Sequence, residues 1–140
     1  MGKNWKFERL VFDPRKHGKP WCAGYASPCK ILSQSTINVS NNLLLGFCTG
    51  NSGEYFKDGK KYRGDFEPGL FLFNPKTGEI PWIAENSLFK DPKAKTITFA
   101  SEVIPLNEKE LILYAHPNDS FIRAYRINLK ELKKLLPKSI

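Results

Sequence analysis

From Asn41 to Ile127 the sequence is a succession of short apolar or alternating runs, and turn residues cut off every one of them. The runs are "NNLLLGFCTGN" (41–51), "GLFLFN" (69–74), "TITFASEVI" (96–104), "ELILYAH" (110–116) and "SFIRAYRI" (120–127). Runs of this length, rich in Leu, Ile, Phe and Tyr, form strands; an amphipathic helix needs a longer stretch of 3.6-residue period. Asn74-Pro75-Lys76-Thr77-Gly78 presets a turn with Pro and ends it with Gly, while Leu106-Asn107-Glu108-Lys109 and Pro117-Asn118-Asp119 close tight hairpins. The last third therefore reads as an antiparallel meander over 96–104, 110–116 and 120–127. One helix follows it. Asn128 is placed to cap with Glu131 in the capping-box position, Leu129, Leu132, Leu135 and Leu136 make one face, and Pro137 stops the element, which predicts a helix over 129–136. At the other end, "WKFERLVFDP" reads as a strand and "RKHGKP" as a mobile loop. The expectation is an all-β fold of antiparallel meander sheets with a short C-terminal helix.

A chain of 140 residues with 41% apolar and 13% aromatic content forms one domain and is too rich in core-forming residues to stay disordered. Its 22 Lys and Arg against 14 Asp and Glu give a net charge of +8, which suits either an anionic partner or a lysine-rich soluble surface. The basic residues are scattered, and no RNP, zinc-finger or P-loop signature occurs, so nucleic acid is the secondary reading. No apolar run approaches the roughly 20 residues of a membrane span, and "MGKNWKFERLVF" lacks the features of a secretory signal, so a cytoplasmic protein with no membrane partner is expected. Cys22, Cys29 and Cys48 form no CxxC pair, and together with His17 they match no common zinc spacing. They are expected to be buried free thiols, with neither metal nor cofactor. The sequon Asn38-Val39-Ser40 and the tripeptide Arg63-Gly64-Asp65 read as chance matches.

The chain also repeats itself loosely. "ASPCKIL" (26–32), "LLLGFCTGN" (43–51) and "GLFLFN" (69–74) follow one another much as "ASEVIPL" (100–106), "LILYAHPND" (111–119) and "FIRAYRIN" (121–128) do. In the first copy an insertion, "SGEYFKDGKKYRGDFEP" (52–68), replaces the tight turn around Asn118. A unit of about 40 residues built from short antiparallel strands is the signature of a propeller blade, and chance likeness between hairpins is the alternative. The domain then divides into an N-terminal segment (1–19), a first blade-like unit with its insertion (20–95), and a second unit with the helix (96–140).

The ordered set "GYASPCKIL", "NNLLLGFCTG", "KKYRGDFEPGLFLFNPKTGEIPWIAENSLFKDP", "TITFASEVI" and "ELILYAHPNDSFIRAYRINLKELKKLL" resembles the C-terminal blades of the five-bladed propeller glycosidases and mannoside phosphorylases, glycoside hydrolase family 130. The resemblance covers about two of five blades. It implies a carbohydrate-related module, with Asp119 facing a sugar-binding centre and Tyr62-Arg63 matching a tyrosine-arginine pair of the family. It departs at Cys48, where the family has a histidine, and at Cys22, where it has a lysine. The family's general acid and main arginines lie in earlier blades, so the module is expected to bind sugar or be catalytically degenerate, without turnover of simple glycosides.

The residues themselves add candidates. His116, Asp119 and Ser120 share one polar turn, and Trp21 and Tyr62 offer aromatic faces for an amphipathic ligand. Arg63 adds a cation, and Asp65 and Glu67 are weaker candidates, since acidic side chains in a Gly- and Pro-rich loop are usually solvated. Two units leave sheet edges and faces bare, so self-association or a partner chain that completes the sheet packing is a further expectation. Three classes of function stay open: a glycan-binding module, a basic β domain for an anionic partner, and a structural subunit supplying blades to an oligomer.

Overall fold

The computed structural model describes residues 4–40 and 42–138; Asn41, at the start of the run 41–51, lies outside the described residues. Among the described residues nine strands, two short α-helices and a 3-10 turn (Pro20–Cys22) succeed one another: α1 (Pro14–His17), β1 (Tyr25–Ile31), β2 (Leu44–Asn51), β3 (Glu54–Lys57), β4 (Lys60–Arg63), β5 (Phe66–Asn74), β6 (Glu79–Ile83), β7 (Thr98–Pro105), β8 (Glu110–Pro117), β9 (Arg123–Asn128) and α2 (Leu129–Lys134). They form an antiparallel sheet in the order β1-β2-β5-β6, a β3-β4 hairpin, and an antiparallel sheet β7-β8-β9. The expected meander and C-terminal helix are both present.

Alternation along the strands places the core. In β8, Leu111, Leu113 and Ala115 are buried and the residues between them are half-buried, so one face of the second sheet points inward. It meets Leu45 and Phe47 of β2 and Leu70 and Leu72 of β5 in one apolar cluster that Leu129 and Leu132 of α2 close. The central strand β2 is buried on both faces, which explains its run of apolar and small residues. Thr49 and Asn51 are its buried polar residues, and Thr49 faces the second sheet. Its Oγ1 accepts from the Ala100 amide at 2.9 Å, across the interface between the sheets, where a bulge in β7 frees that amide from the ladder. The opposite face of the first sheet carries a second cluster of Trp21, Cys22, Cys48, Phe71 and Ile83, with Phe12 packed against it.

Four expectations change. Residues 5–12 form no strand: the segment has no assigned secondary structure and pairs with no neighbour among the described residues, and Trp5, Phe7 and Leu10 are exposed. The following stretch is a helical turn rather than a mobile loop, because Asp13 caps it by accepting from the Arg15 amide at 3.1 Å and Pro14 sits in its first position. The last strand starts at Arg123 and not at Ser120, since the preceding turn takes up residues 117–120. The helix ends at Lys134, where the Leu135 amide bonds back to the Leu132 carbonyl at 3.1 Å. Among the described residues, β3, β4 and β6 lie outside the runs expected as strands. β6 contains Pro81, which has no amide to donate and is tolerated because β6 is an edge strand with an irregular register.

All three cysteines are free thiols, with Cys22 and Cys48 buried and Cys29 half-buried. Burial pushes the Cys48 thiol up to about 12 and the Cys29 thiol up to about 11, and it raises Cys22 as well. Nucleophilic attack requires the thiolate. Cys22 and Cys48 are therefore expected to resist a disulfide reagent at pH 8 and to react only as fast as the chain opens, which a labelling time course with and without denaturant will test.

Candidate functional site

Strand register brings five loop ends together. Tyr25 lies opposite Asn51 and Asn51 opposite Phe66, so the start of β1, the end of β2 and the start of β5 adjoin. A parallel bridge from Phe66 to Ile97, with Thr98 opposite Pro117, adds the start of β7 and the end of β8 to the same end. A chain of aromatic rings marks the junction: Tyr25 to Phe66 at 5.7 Å, Phe66 to Phe99 at 6.1 Å, and Phe99 to His116 at 5.0 Å and nearly parallel.

The inserted segment builds the pocket at this end. Asp58 and Gly59 both have positive φ, 51° and 71°, as a two-residue hairpin turn with the right twist requires. Across the β3-β4 hairpin Tyr55 stacks on Tyr62, centroids 5.4 Å apart and planes 15° from parallel. Asn51 pins both ends of the insertion, its Oδ1 accepting from the Gly53 amide at 2.7 Å and its Nδ2 donating to the Gly64 carbonyl at 2.6 Å. The result is an open pocket of about 320 Å³ lined by Pro20, Trp21, Ser52, Tyr55, Asp65 and Glu67. Asp65 forms an ion pair with Lys90.

Trp21, Asp65 and Glu67 thus converge, with Tyr62 behind Tyr55. Trp21 is buried, its indole N–H donating to the Ala84 carbonyl at 2.9 Å, so it contributes an edge to the pocket and not an open stacking face. Arg63 is exposed opposite Glu54 at the end of β4. The pocket lining does not include His116, Asp119 or Ser120, which sit at the end of the second sheet. Sequence reasoning missed Ser52, Tyr55, Asn51 and Lys90; the insertion at a position where the second copy has only a tight turn was the available signal. Among the described residues no group of three or more His, Cys, Asp or Glu side chains is placed to hold a metal ion.

The polar turn after β8 has its own logic. Asn118 and Asp119 both have positive φ, 54° and 53°, and the Ser120 amide donates to the Pro117 carbonyl at 3.1 Å. Asp119 does not bond the amides that follow it; its Oδ1 meets His116 Nδ1 at 3.0 Å. Asn118 is the anchor. Its Oδ1 accepts from the Lys95 amide at 2.9 Å, its Nδ2 donates to the Lys93 carbonyl at 3.1 Å, and its own amide donates to the Ile97 carbonyl at 3.0 Å. Asn118→Ala loses two of these bonds and places alanine in the left-handed region, so it is expected to cost about 2 kcal/mol. The exposed His116–Asp119 pair is worth less, and Asp119→Asn, which removes the charge and keeps a residue that tolerates positive φ, is expected to cost under about 1 kcal/mol. Denaturant titration of the two variants will show the difference.

No family model, curated protein or solved structure matches the chain.

Proposed function

We propose that the protein is a carbohydrate-binding module whose two sheets correspond to adjacent blades of a propeller-like arrangement. The observation that carries the reading is the mixed pocket at the shared end of the sheets, where an aromatic ring, a hydroxyl and two carboxylates surround an open volume of about 320 Å³. Sugars are amphipathic: their C–H faces lie on aromatic rings and their hydroxyls donate to carboxylates. The four-stranded meander interrupted by one hairpin, followed by a second meander, supports the blade correspondence. Charge argues against a polyanion at this place. Although the chain carries +8, the pocket itself presents Asp65 and Glu67, which repel phosphate.

A glycan array followed by calorimetry tests the reading. Saccharide binding is expected to change by less than about threefold between 0.1 and 0.5 M salt, because little counterion release accompanies it. Tyr55→Ala is expected to weaken it about tenfold, as loss of an aromatic platform does. Affinity for nucleic acid alone, falling steeply with salt, would overturn the reading.

A further inference from the structure

We infer that the pocket selects saccharides bearing a free amino group over their neutral or acidic counterparts. The inference rests on the saccharide reading above and concerns which sugar the pocket takes. Its basis is the local charge count. Of the two carboxylates lining the pocket, Asp65 is compensated by the Lys90 ammonium, with which it forms an ion pair. The ion pairs of the described residues leave Glu67 uncompensated, so the pocket presents one net negative charge. Glu67 holds a defined position, because its residue pairs with Gly50 in the ladder between β2 and β5.

A second group has the same preference. Tyr55 lines the pocket and is backed by Tyr62, and a tyrosine ring attracts a cation through its π face. An ammonium seated between a carboxylate and an aromatic ring gains from both. A uronic acid is repelled by Glu67, and an N-acetylated sugar presents an amide that gains from neither charge nor quadrupole. The overall charge of +8 opposes a cationic ligand, but at physiological ionic strength the Debye length is about 8 Å, so charges on distant faces are screened and the nearest group dominates.

Calorimetry at pH 6 with a β-1,4-linked glucosamine tetramer and its fully N-acetylated counterpart decides the matter. The amino tetramer is expected to bind about tenfold more tightly, and Glu67→Gln, which keeps the shape, is expected to weaken the amino tetramer more than the N-acetylated one and so bring the two affinities within about twofold, with the melting temperature in place. Equal affinities, or a preference for the N-acetylated form, would overturn selection for the amine and leave the saccharide reading standing. A preference that persists in Glu67→Gln would overturn the role of Glu67. If neither tetramer binds, the inference falls, and the glycan array separately decides whether the saccharide reading falls with it.

Discussion

Gly69→Ala is expected to destabilise the protein by about 2 kcal/mol when Trp21 is present, and to stabilise it by up to about 0.5 kcal/mol when Trp21 has been replaced by alanine. The change of sign follows from how the Trp21 ring is seated. Its indole lies over β2 and β5, where a methyl built on Gly69 or on Gly50 would overlap the six-membered ring. The ring has no easy retreat, because it is buried and its N–H is fixed to the Ala84 carbonyl at 2.9 Å. Overpacking of this kind forces side chains off their rotamers and costs about 1 to 3 kcal/mol. The backbone itself does not need glycine at 69, since its φ is not among the positive values of the chain. Once the ring is gone, alanine should behave as it does in an ordinary strand, reducing the freedom of the unfolded chain. Trp21→Ala alone is expected to cost about 3 to 5 kcal/mol, a large part of a typical domain's stability. A double-mutant cycle by denaturant unfolding is the measurement. Equal effects of Gly69→Ala in both backgrounds would mean that the ring is not what excludes the methyl.

Tyr125→Phe is expected to lower the melting temperature by about 5 °C at neutral pH and to move the acid loss of stability to higher pH. Tyr125 donates its hydroxyl to the Asp91 carboxylate, whose other contacts are the Arg123 guanidinium at 3.0 Å and the Lys93 amide at 2.8 Å. The Asp91 amide in turn donates to Thr98 Oγ1 at 3.0 Å. This network ties the 84–97 connection to β7 and β9 of the second sheet. The Tyr125 hydroxyl, followed by the Lys93 amide and Arg123, holds the Asp91 carboxyl below its ordinary value of 3.8, against burial, which pushes it up. A carboxyl depressed in the folded state contributes stability that is present above its unfolded pKa and lost as pH falls through its folded one. Tyr125 shows the opposite limb. Burial first, and then the Asp91 charge, push its hydroxyl from 10.0 to about 12, so its contribution is present below 10.0 and lost as pH rises through about 12. Melting curves from pH 2 to 12 will register both limbs. An acid limb of Tyr125→Phe that superimposes on the wild type would remove the hydroxyl from this account.

The second half of the chain was the more legible. In β8 the buried residues alternate with half-buried ones, so local pattern and tertiary burial agree and the meander could be read from order alone. Asn128 set the start of the helix for an equally local reason, whereas its end falls at Lys134, before the point that the leucine spacing and Pro137 imply. β6 was hidden because Pro81 makes its run look broken, and only its place at a sheet edge makes the proline acceptable. The N-terminal segment erred the other way. Residues 5–12 have the alternation of a strand, but a strand needs a partner's amides and carbonyls, and none is offered to it among the described residues.

For the site, residue type and spacing identified Asp65, Glu67, Trp21 and Tyr62 as candidates, and strand register decided their use. Whether Trp21 is a platform or a core residue depends on Gly50 and Gly69, which come beneath it only when β2 pairs with β5. Whether Asp65 is free depends on Lys90, 25 residues away in sequence. Alternation, turn residues and caps act between neighbours along the chain, so the sequence by itself determined the strands of the last third, the closing helix and the all-β class. The pocket joins the 3-10 turn Pro20–Cys22, the end of β2, the hairpin and the start of β5, and hydrogen bonds and packing between segments distant in sequence hold these together. Only the tertiary structure decided which side chains share that pocket, because their proximity comes from pairing between strands and not from any spacing along one of them.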